Sequence, residues 1–486
     1  MAIDPSFTAG DPETRYARRL ARYTTAMRNE MPDRVPIRPF VAEFTGVYAG
    51  YTCQELAHDY EKAFAAACRC AADFDWDAVV PNMVYVWTGL AQSLGLRYYA
   101  IPGIDIPPET GFQYREPPED DAFMQPDEYD ELIDDPTAFL YNTWLPRVAR
   151  RLVPLGSPCT LEHNLALVKT SMAMSQYFCA FGPQIERLRR ESGTVSAISG
   201  ILKAPLDIIA DKMRGYLGLV DDLFQRPKKV LAACEALAPH LTHVAKTTGD
   251  PDRNVPVGLW MHRGGVPFVS PDVFQNVYWA TLKPIIQELW ADGLQTLFYA
   301  EGSWDYHLES FAELPDRSMI YHLDQGDIHR TRDVLGDKFC LSGGIPNTLL
   351  SLGTPDEVRS RCKEVIEAVA QDGGYIMDAS AIVQNDAKVE NVRAMTEATL
   401  EYGVYSRGHA TPLVAGGPVP TSIDAIPGKF LPPVPAEKLQ PGECEPWRKE
   451  KARVGPIPGD EELCRRTWEQ IDSLGNAFIW QLLLSF

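Results

Sequence analysis

Short hydrophobic runs alternate with longer amphipathic stretches over most of the chain. Runs such as Val255–Met261 and Leu294–Ala300 have the length and the β-branched or aromatic content of buried strands. The stretch Thr354–Gln371 repeats apolar residues at helical spacing and carries acidic residues in its first turn. Alternation of this kind predicts a parallel sheet covered by helices, either closed or doubly wound.

About eight strand-helix units favour closure of that sheet into a barrel. The predicted strands are Val35–Phe44, Asp77–Met83, Val195–Ile201, Val255–Met261, Leu294–Ala300, Met319–Leu323, Phe339–Ser342 and Gly374–Met377. The predicted helices are 12–31, Gln54–Ala72, Pro205–Leu217, Pro227–Thr247, Pro271–Asp292, Asp305–Leu314, Asp327–Leu335, Thr354–Gln371 and Lys388–Tyr402. Neither a glycine-rich dinucleotide fingerprint nor a P-loop occurs. We therefore expect an α/β fold, a single (β/α)8 TIM barrel.

Two segments depart from the alternation. Residues 102–136 carry many Pro, Asp and Glu, and we interpret them as a long surface excursion in the N-terminal half. Residues 408–486 begin with a Pro- and Gly-rich stretch and end in an apolar run, so they are unable to form a core alone. The predicted organisation is a barrel over 1–407 and an extended C-terminal tail over 408–486 that packs on the barrel or on a partner subunit.

Composition narrows the class of function. The 486 residues carry a formal net charge of −20, which argues against nucleic acid and anionic membrane surfaces as partners. Ten scattered cysteines without a CxxC motif indicate a reducing compartment, so we expect a cytoplasmic protein.

In a βα barrel the active site lies at the carboxyl ends of the strands, and this rule selects candidate residues directly. It selects Glu43, Asn82, His262, Glu301, Asp324, Asp327 and Asp378. Glu301 is the strongest, because a carboxylate that follows the apolar run Leu-Phe-Tyr-Ala is costly unless it is paired or liganded. His262 is suited to ligate a metal or to act as a general acid. Asp327 is either a catalytic acid or the N-cap of the next helix.

Aromatic residues crowd the same strand ends and predict an apolar, small substrate. They are Tyr85, Trp87, Trp260, Phe298, Tyr299, Trp304 and Tyr306. With Glu43 and Asn82, the residues Tyr85, Trp87, Trp260, Tyr299 and Trp304 form the predicted substrate-binding set.

The order of motifs resembles the uroporphyrinogen decarboxylase-like superfamily over roughly residues 15–405. The pieces are DRVPIRPF at 33–40, the stretch 219–239, YAEGSWD at 299–305, HLDQGD at 322–327, LGDKFC at 335–340, GGIP at 343–346, GTPDEV at 353–358, GGYI at 373–376 and ENVRAM at 390–395. The arginine-rich loop with which the decarboxylases hold substrate carboxylates is replaced by Pro39-Phe-Val-Ala-Glu-Phe-Thr-Gly46. The chain therefore looks more like the corrinoid-dependent methyltransferase branch, of the O-demethylase type.

That resemblance implies a methyltransferase that moves a methyl group between a small, fairly apolar methyl ether-like donor and the cobalamin of a separate corrinoid protein. Glu301 and His262 would be its central residues. No cobalamin-binding DxHxxG motif occurs, so the corrinoid would be carried by a partner, and a homodimer is the expected assembly.

Relatives that methylate thiols carry a zinc-binding His-x-Cys pair, but here Tyr299 and Glu301 occupy that spacing. If zinc binds, the resemblance implies His262, Glu301 and Asp378 as ligands, with His307 or, less favourably, Cys340 as replacements. Two other functions stay open. One is a metal-independent decarboxylase or lyase on the same barrel, and the other is a non-catalytic binding subunit.

Overall fold

The computed structural model describes residues 10–80, 87–154, 156–405, 411–420, 430–435 and 438–484. The strands are β1 Ala78–Val79, β2 Tyr99–Ala100, β3 Gln113–Tyr114, β4 Val195–Ser196, β5 Ile201–Leu202, β6 Val257–Met261, β7 Thr296–Ser303, β8 Met319–Gln325, β9 Cys340–Gly343 and β10 Tyr375–Ile376.

The α-helices are α1 Pro12–Met27, α2 Phe44–Ala49, α3 Cys53–His58, α4 Tyr60–Asp73, α5 Thr88–Leu94, α6 Tyr129–Asp134, α7 Pro136–Phe139, α8 Leu145–Val148, α9 Leu161–Cys179, α10 Phe181–Arg187, α11 Pro205–Ile208, α12 Tyr216–Gln225, α13 Pro227–Thr248, α14 Pro271–Val273, α15 Ala280–Ala291, α16 Leu308–Phe311, α17 Ile328–Leu335, α18 Asn347–Leu352, α19 Pro355–Val369, α20 Val389–Tyr402, α21 Trp447–Val454 and α22 Glu461–Leu484. Wider π-helical turns occupy Leu140–Trp144, Leu188–Ser192, Ile209–Arg214 and Phe274–Trp279, and 3-10 turns occupy Glu119–Asp121 and Asp305–His307.

Parallel pairing runs around a closed ring, which confirms the predicted TIM barrel. Strands β5 to β10 form one parallel sheet in sequence order, and β1 pairs in parallel with β4. Because β4 pairs with β1 and β5 pairs with β6, these two stretches act as one irregular strand. Single parallel bridges from Ile37 to Met377 and from Phe40 to Val80 close the ring.

The first barrel position differs from the predicted strand Val35–Phe44. Only isolated bridges at Ile37, Phe40 and Val41 form there, because Pro36 and Pro39 have no N–H to donate to a ladder. Their carbonyl oxygens still accept from Met377 and Val80. Helix α2 begins at Phe44 and ends the extended segment.

Local sequence explains the helix boundaries. In α19, Thr354 accepts a hydrogen bond from the Glu357 N–H, Glu357 accepts one from the Thr354 N–H, and Pro355 occupies the first helical position. Among the described residues, no helix is long and apolar enough to cross a membrane.

The segment 102–136, interpreted as a surface excursion, is anchored in the barrel core. Ala122, Phe123, Met124, Tyr129 and Leu132 are buried. The apolar residues in this segment are too irregularly spaced to show helical or strand periodicity, so its burial was not evident from pattern.

The end of the tail also packs on the barrel. Ile479, Trp480, Leu482 and Leu483 of α22 are buried. The Trp480 ring stacks on His240 of α13 at 4.9 Å, and its Nε1 donates to Thr137 Oγ1 at 3.1 Å.

The amino ends of the strands hold a buried network of charges. Asp77, just before β1, pairs with Arg22 at 2.6 Å and with Arg34 at 2.7 Å. Its Oδ2 also accepts from the Ile37 N–H at 2.9 Å. Despite burial, the two guanidinium groups hold the pKa of Asp77 down at about 2.

Candidate active site

A cavity of about 520 Å³ opens at the carboxyl ends of β5 to β8. Its walls are Tyr99, Phe112, Tyr114, Ile201, Lys203, Asp211, Lys212, Trp260, His262, Arg263, Phe268, Glu301, Gly302, Asp324, Gln325 and Ile382. A second cavity of about 300 Å³ lies between α9, α10 and α22, and its lining among the described residues contains no acidic or basic side chain. The first cavity is therefore the candidate active site.

A β-bulge places two carboxyl groups on the cavity wall. Ala300 pairs with Leu323 and Ser303 with Gln325, so Glu301 and Gly302 of β7 both stand opposite Asp324 of β8. Gly302 adopts φ +86°, a conformation that favours glycine, and its N–H donates to Asp324 Oδ2 at 2.8 Å. Glu301 Oε2 accepts from Trp260 Nε1 at 2.8 Å.

Burial, reinforced by the neighbouring Glu301, raises the pKa of Asp324 to about 6, against the opposing effect of the Gly302 N–H. A carboxyl group with this pKa is able to give or take a proton near neutral pH.

The opposite wall is built around Asp211. Its carboxylate lies 2.6 Å from His262 Nε2, 2.9 Å from Arg263 Nε and 3.4 Å from Lys203 Nζ. Burial alone would lower the pKa of His262, but the Asp211 carboxylate reverses this and raises it above its ordinary value. His262 Nδ1 is buried without a hydrogen-bond partner among the described residues. When protonated, His262 therefore has one N–H held by Asp211 and a second, at Nδ1, that is not used by any described residue.

Of the predicted catalytic residues, the structure brings Glu301 and His262 to the same cavity. Asp327 is exposed and is the N-cap of α17, where its Oδ1 accepts from the His329 N–H at 2.9 Å. The N-cap interpretation therefore describes its position, and Asp327 does not line the cavity.

Only some of the predicted substrate-binding residues lie at the cavity. Trp260 lines the cavity, and Tyr299 lies behind it as a buried ring 4.7 Å away. Trp304 is fully buried among Phe298, Tyr278 and Phe311, because its Nε1 turns back to the Glu301 carbonyl. Trp87 packs on Tyr60 and Tyr177, away from the cavity. Asn82 and Tyr85 fall outside the described residues.

Glu43 is buried close to the cavity but does not line it. Its carboxylate faces Gly111, where a Cβ would lie 3.0 Å from Oε1. Burial raises the pKa of Glu43 to about 7.

The predicted zinc ligands do not come together. Asp378 is buried 3.4 Å from Arg38 and lies outside the cavity wall. His307 is stacked on Phe274 at 3.6 Å, and Cys340 is buried. Within the described ranges, no group of three His, Cys, Asp or Glu side chains could hold a metal ion. With Lys203 and Arg263 also beside His262, the donor set of this cavity does not fit a zinc ion.

Several cavity residues were missed by the sequence reasoning. The strand-end rule, applied to Val195–Ile201, would have pointed to Lys203. The cavity residues Asp211 and Lys212, with Asp207 before them, interrupt an otherwise apolar helical stretch, which was a usable signal. Phe112 and Tyr114 come from the aperiodic segment 102–136 and gave no such signal.

Comparison with known proteins identifies the barrel. Residues 162–402 match the family model Uroporphyrinogen decarboxylase (URO-D). A methyltransferase from Methanosarcina mazei has a similar fold, with a TM-score of 0.53 and 15% sequence identity, over 81% of this chain and 99% of that one. No curated protein matches the chain. The resemblance inferred from the motifs is thus confirmed, and residues 162–402, about half of the chain, belong to the uroporphyrinogen decarboxylase family.

Proposed function

We propose that this protein moves a methyl group between a small methyl ether-like donor and the cobalamin of a separate corrinoid protein. The observation that carries the proposal is the bulge that holds Glu301 and Asp324 side by side on the cavity wall. The similar fold of the methyltransferase from Methanosarcina mazei supports the choice of methyl transfer.

Residues of this chain would donate and accept the proton that the reaction needs. When the O–CH3 bond breaks, its electron pair stays on oxygen, and that oxygen needs a proton to leave as a hydroxyl. Asp324, whose pKa is raised to about 6, would donate this proton as the methyl group departs, and would take one up in the opposite direction. Glu301, fixed by Trp260 Nε1, would orient the donor beside it.

The remaining walls would bind the donor and exclude water. Phe112, Tyr114, Trp260 and Phe268 give an aromatic surface that suits an apolar donor. The cobalt of the partner's corrinoid would supply the methyl acceptor. No step is assigned to zinc, because the cavity does not fit it.

The test uses the purified full chain with anisole as the methyl donor and free cob(I)alamin as the acceptor. Phenol formation and the loss of cob(I)alamin absorbance should proceed together. Asp324→Asn should slow phenol formation by about 10²–10⁴-fold. Asp372→Asn, which alters an exposed pair with Arg332, is the matched control and should keep the wild-type rate.

Two outcomes would contradict the proposal. If neither anisole nor other methyl ethers, methanol or methylamines yield demethylated product, methyl transfer itself is wrong. If Asp324→Asn keeps the wild-type rate, the assignment of the proton donor is wrong.

Zinc stays a prediction of the resemblance, and elemental analysis of wild-type protein beside Glu301→Ala decides it. The site as described leads us to expect no stoichiometric zinc in either sample. Near-stoichiometric zinc that disappears in the variant would replace the proton-donor mechanism with metal activation of the donor oxygen.

We also propose that the protein forms a homodimer. Leu161, Leu165, Val168 and Met172 leave an exposed apolar strip on α9 that would suit contact with a second copy. Light scattering during gel filtration measures the assembly, and a monomer at micromolar concentration would exclude the dimer.

A further inference from the structure

Lys212 lines the candidate active site but takes no part in the methyl transfer proposed above. It is only 1% exposed and belongs to the π-helical turn Ile209–Arg214, a kind of turn that is frequent at functional sites. Its Nζ donates to Tyr99 Oη at 2.9 Å and lies 4.0 Å from the centre of the Tyr98 ring. A buried amine thus reaches the cavity through an aromatic surround.

The Asp211 carboxylate, which lies directly before Lys212 in the chain, already interacts with other cationic side chains. Asp211 Oδ2 is shared by His262 and Lys203, and Asp211 Oδ1 accepts from Arg263. Burial, together with the positive charge of Lys203, lowers the pKa of Lys212 well below 10.5, against the weaker opposing effect of Asp211. Burial thus favours the uncharged amine at Lys212 more than at an exposed lysine.

We propose that Lys212 is a nucleophilic amine that forms an imine with a small aldehyde or ketone bound in this cavity. The proposal goes beyond methyl transfer and does not depend on it. A buried lysine that lines a cavity, with aromatic rings around its amine and a second lysine on the same wall, is an arrangement that favours imine chemistry.

The step balances with groups of the same cavity. The Nζ lone pair attacks the carbonyl carbon, the C–N bond forms, and the carbonyl π electrons move to oxygen, which takes up a proton. One N–H proton is lost, and a second proton on the oxygen lets it leave as water, with formation of the C=N bond. The nitrogen keeps its one remaining N–H, so the imine is protonated as it forms. The net change is carbonyl plus amine plus one proton giving a protonated imine and water. His262, with its raised pKa, and Asp324 are the cavity groups able to supply protons.

A protonated imine withdraws electrons from the neighbouring carbon. It therefore stabilises the carbanion left when that carbon loses a proton or carbon dioxide. This chemistry corresponds to the lyase or decarboxylase alternative left open by the sequence, with small oxo compounds as the substrate class. The cations Lys203 and Arg263 on the same wall would suit a carboxylate on such a substrate.

Lys203 is the internal comparison for Lys212. Both amines line the cavity, but Lys203 Nζ lies 3.4 Å from an Asp211 carboxylate oxygen, whereas Lys212 has no ion pair among the described residues. Lys228, exposed on α13, is a second reference. Lys212 is the more buried of the two cavity lysines, so a faster reaction at Lys212 would not be explained by easier access.

The test is reductive alkylation of the wild-type full chain by propanal and sodium cyanoborohydride between pH 6.5 and 9. Peptide mass spectrometry then gives the rate of propylation at each lysine. We expect Lys212 to react at least about tenfold faster than Lys203 and Lys228 at pH 7, since each pKa unit is about a tenfold change in the free amine. Its rate should rise less steeply with pH than the rate at Lys228, because burial lowers the pKa of Lys212.

A Lys212→Met variant should lose only the fast reaction assigned to Lys212. The comparison among lysines is made within one wild-type sample, so it stands even if this variant folds poorly. The proposal is overturned if Lys212 reacts no faster than Lys228, or if its rate rises with pH as steeply as that of Lys228.

Discussion

In the described part of the chain, buried ionisable groups are paired at the amino ends of the barrel strands, whereas several at the carboxyl ends are not. At the amino ends of the strands, both oxygens of Asp77 are paired with Arg22 and Arg34, and a backbone N–H adds to them. At the carboxyl ends, Lys212 and Glu43 are buried without an ion pair among the described residues, and His262 Nδ1 has no hydrogen-bond partner there. The first end is built for stability, and the second keeps groups whose protonation state is free to change.

The largest effect should come from breaking the paired end with Asp77→Asn. The substitution keeps the shape of the side chain but removes the fully buried carboxylate charge that Arg22 and Arg34 share. The other carboxylate beside Arg22, Asp33, is partly exposed. We expect the free energy of unfolding to fall by about 3–5 kcal/mol, measured by urea denaturation at pH 7. Asp372→Asn, in an exposed pair, should change it by less than about 0.5 kcal/mol.

The pH dependence of Asp77 gives an independent check. Its folded pKa of about 2 lies below the ordinary value, so its contribution to stability is present above pH 4 and is lost as the pH falls through about 2. The variant should lack this part of the acid-induced decline. Similar acid profiles for the two proteins would contradict the assignment.

Glu43→Gln, near the carboxyl ends of the strands, should increase the free energy of unfolding, whereas Asp77→Asn should decrease it. The pKa of Glu43 is raised from 4.5 to about 7, so its contribution to stability is present below pH 4.5 and is lost as the pH rises through about 7. Removing the carboxylate should therefore raise the free energy of unfolding at pH 8 by up to about 3 kcal/mol. Urea denaturation at pH 4.5 and pH 8 tests this, and an equal decline in both proteins would rule it out.

The same contrast explains what the sequence could predict. Strand and helix positions from β6 to α20 follow the hydrophobic pattern closely, because burial of alternating elements fixes them. Glu301 and His262 were predicted because the strand-end rule depends only on the position along a strand. Lys212 and Tyr114 were not, since a helix and an aperiodic segment bring them to the cavity through tertiary packing.

A change at Asp211 should have a smaller effect, on the pKa of His262. In Asp211→Asn, His262 loses the hydrogen-bonded carboxylate that raises its pKa. Burial then opposes protonation against the remaining charge of Asp207, so the pKa of His262 should fall. Titration of the His262 ring protons by NMR should show a fall of more than about one unit. The same titration in Asp372→Asn should match the wild type, and a His262 pKa unchanged in Asp211→Asn would show that Asp211 does not control it.

The smallest effect on stability is expected for Asp324→Asn, the substitution that should be most damaging to methyl transfer. Asp324 is only partly buried, and an asparagine oxygen is still able to accept the hydrogen bond from the Gly302 N–H. The free energy of unfolding at pH 7 should therefore change by less than about 1 kcal/mol. A loss as large as that of Asp77→Asn would mean that Asp324 is a structural anchor like Asp77, and the distinction between the two ends of the barrel would fail. A small change in stability beside a large loss of turnover would place the proton chemistry at the carboxyl ends of the strands.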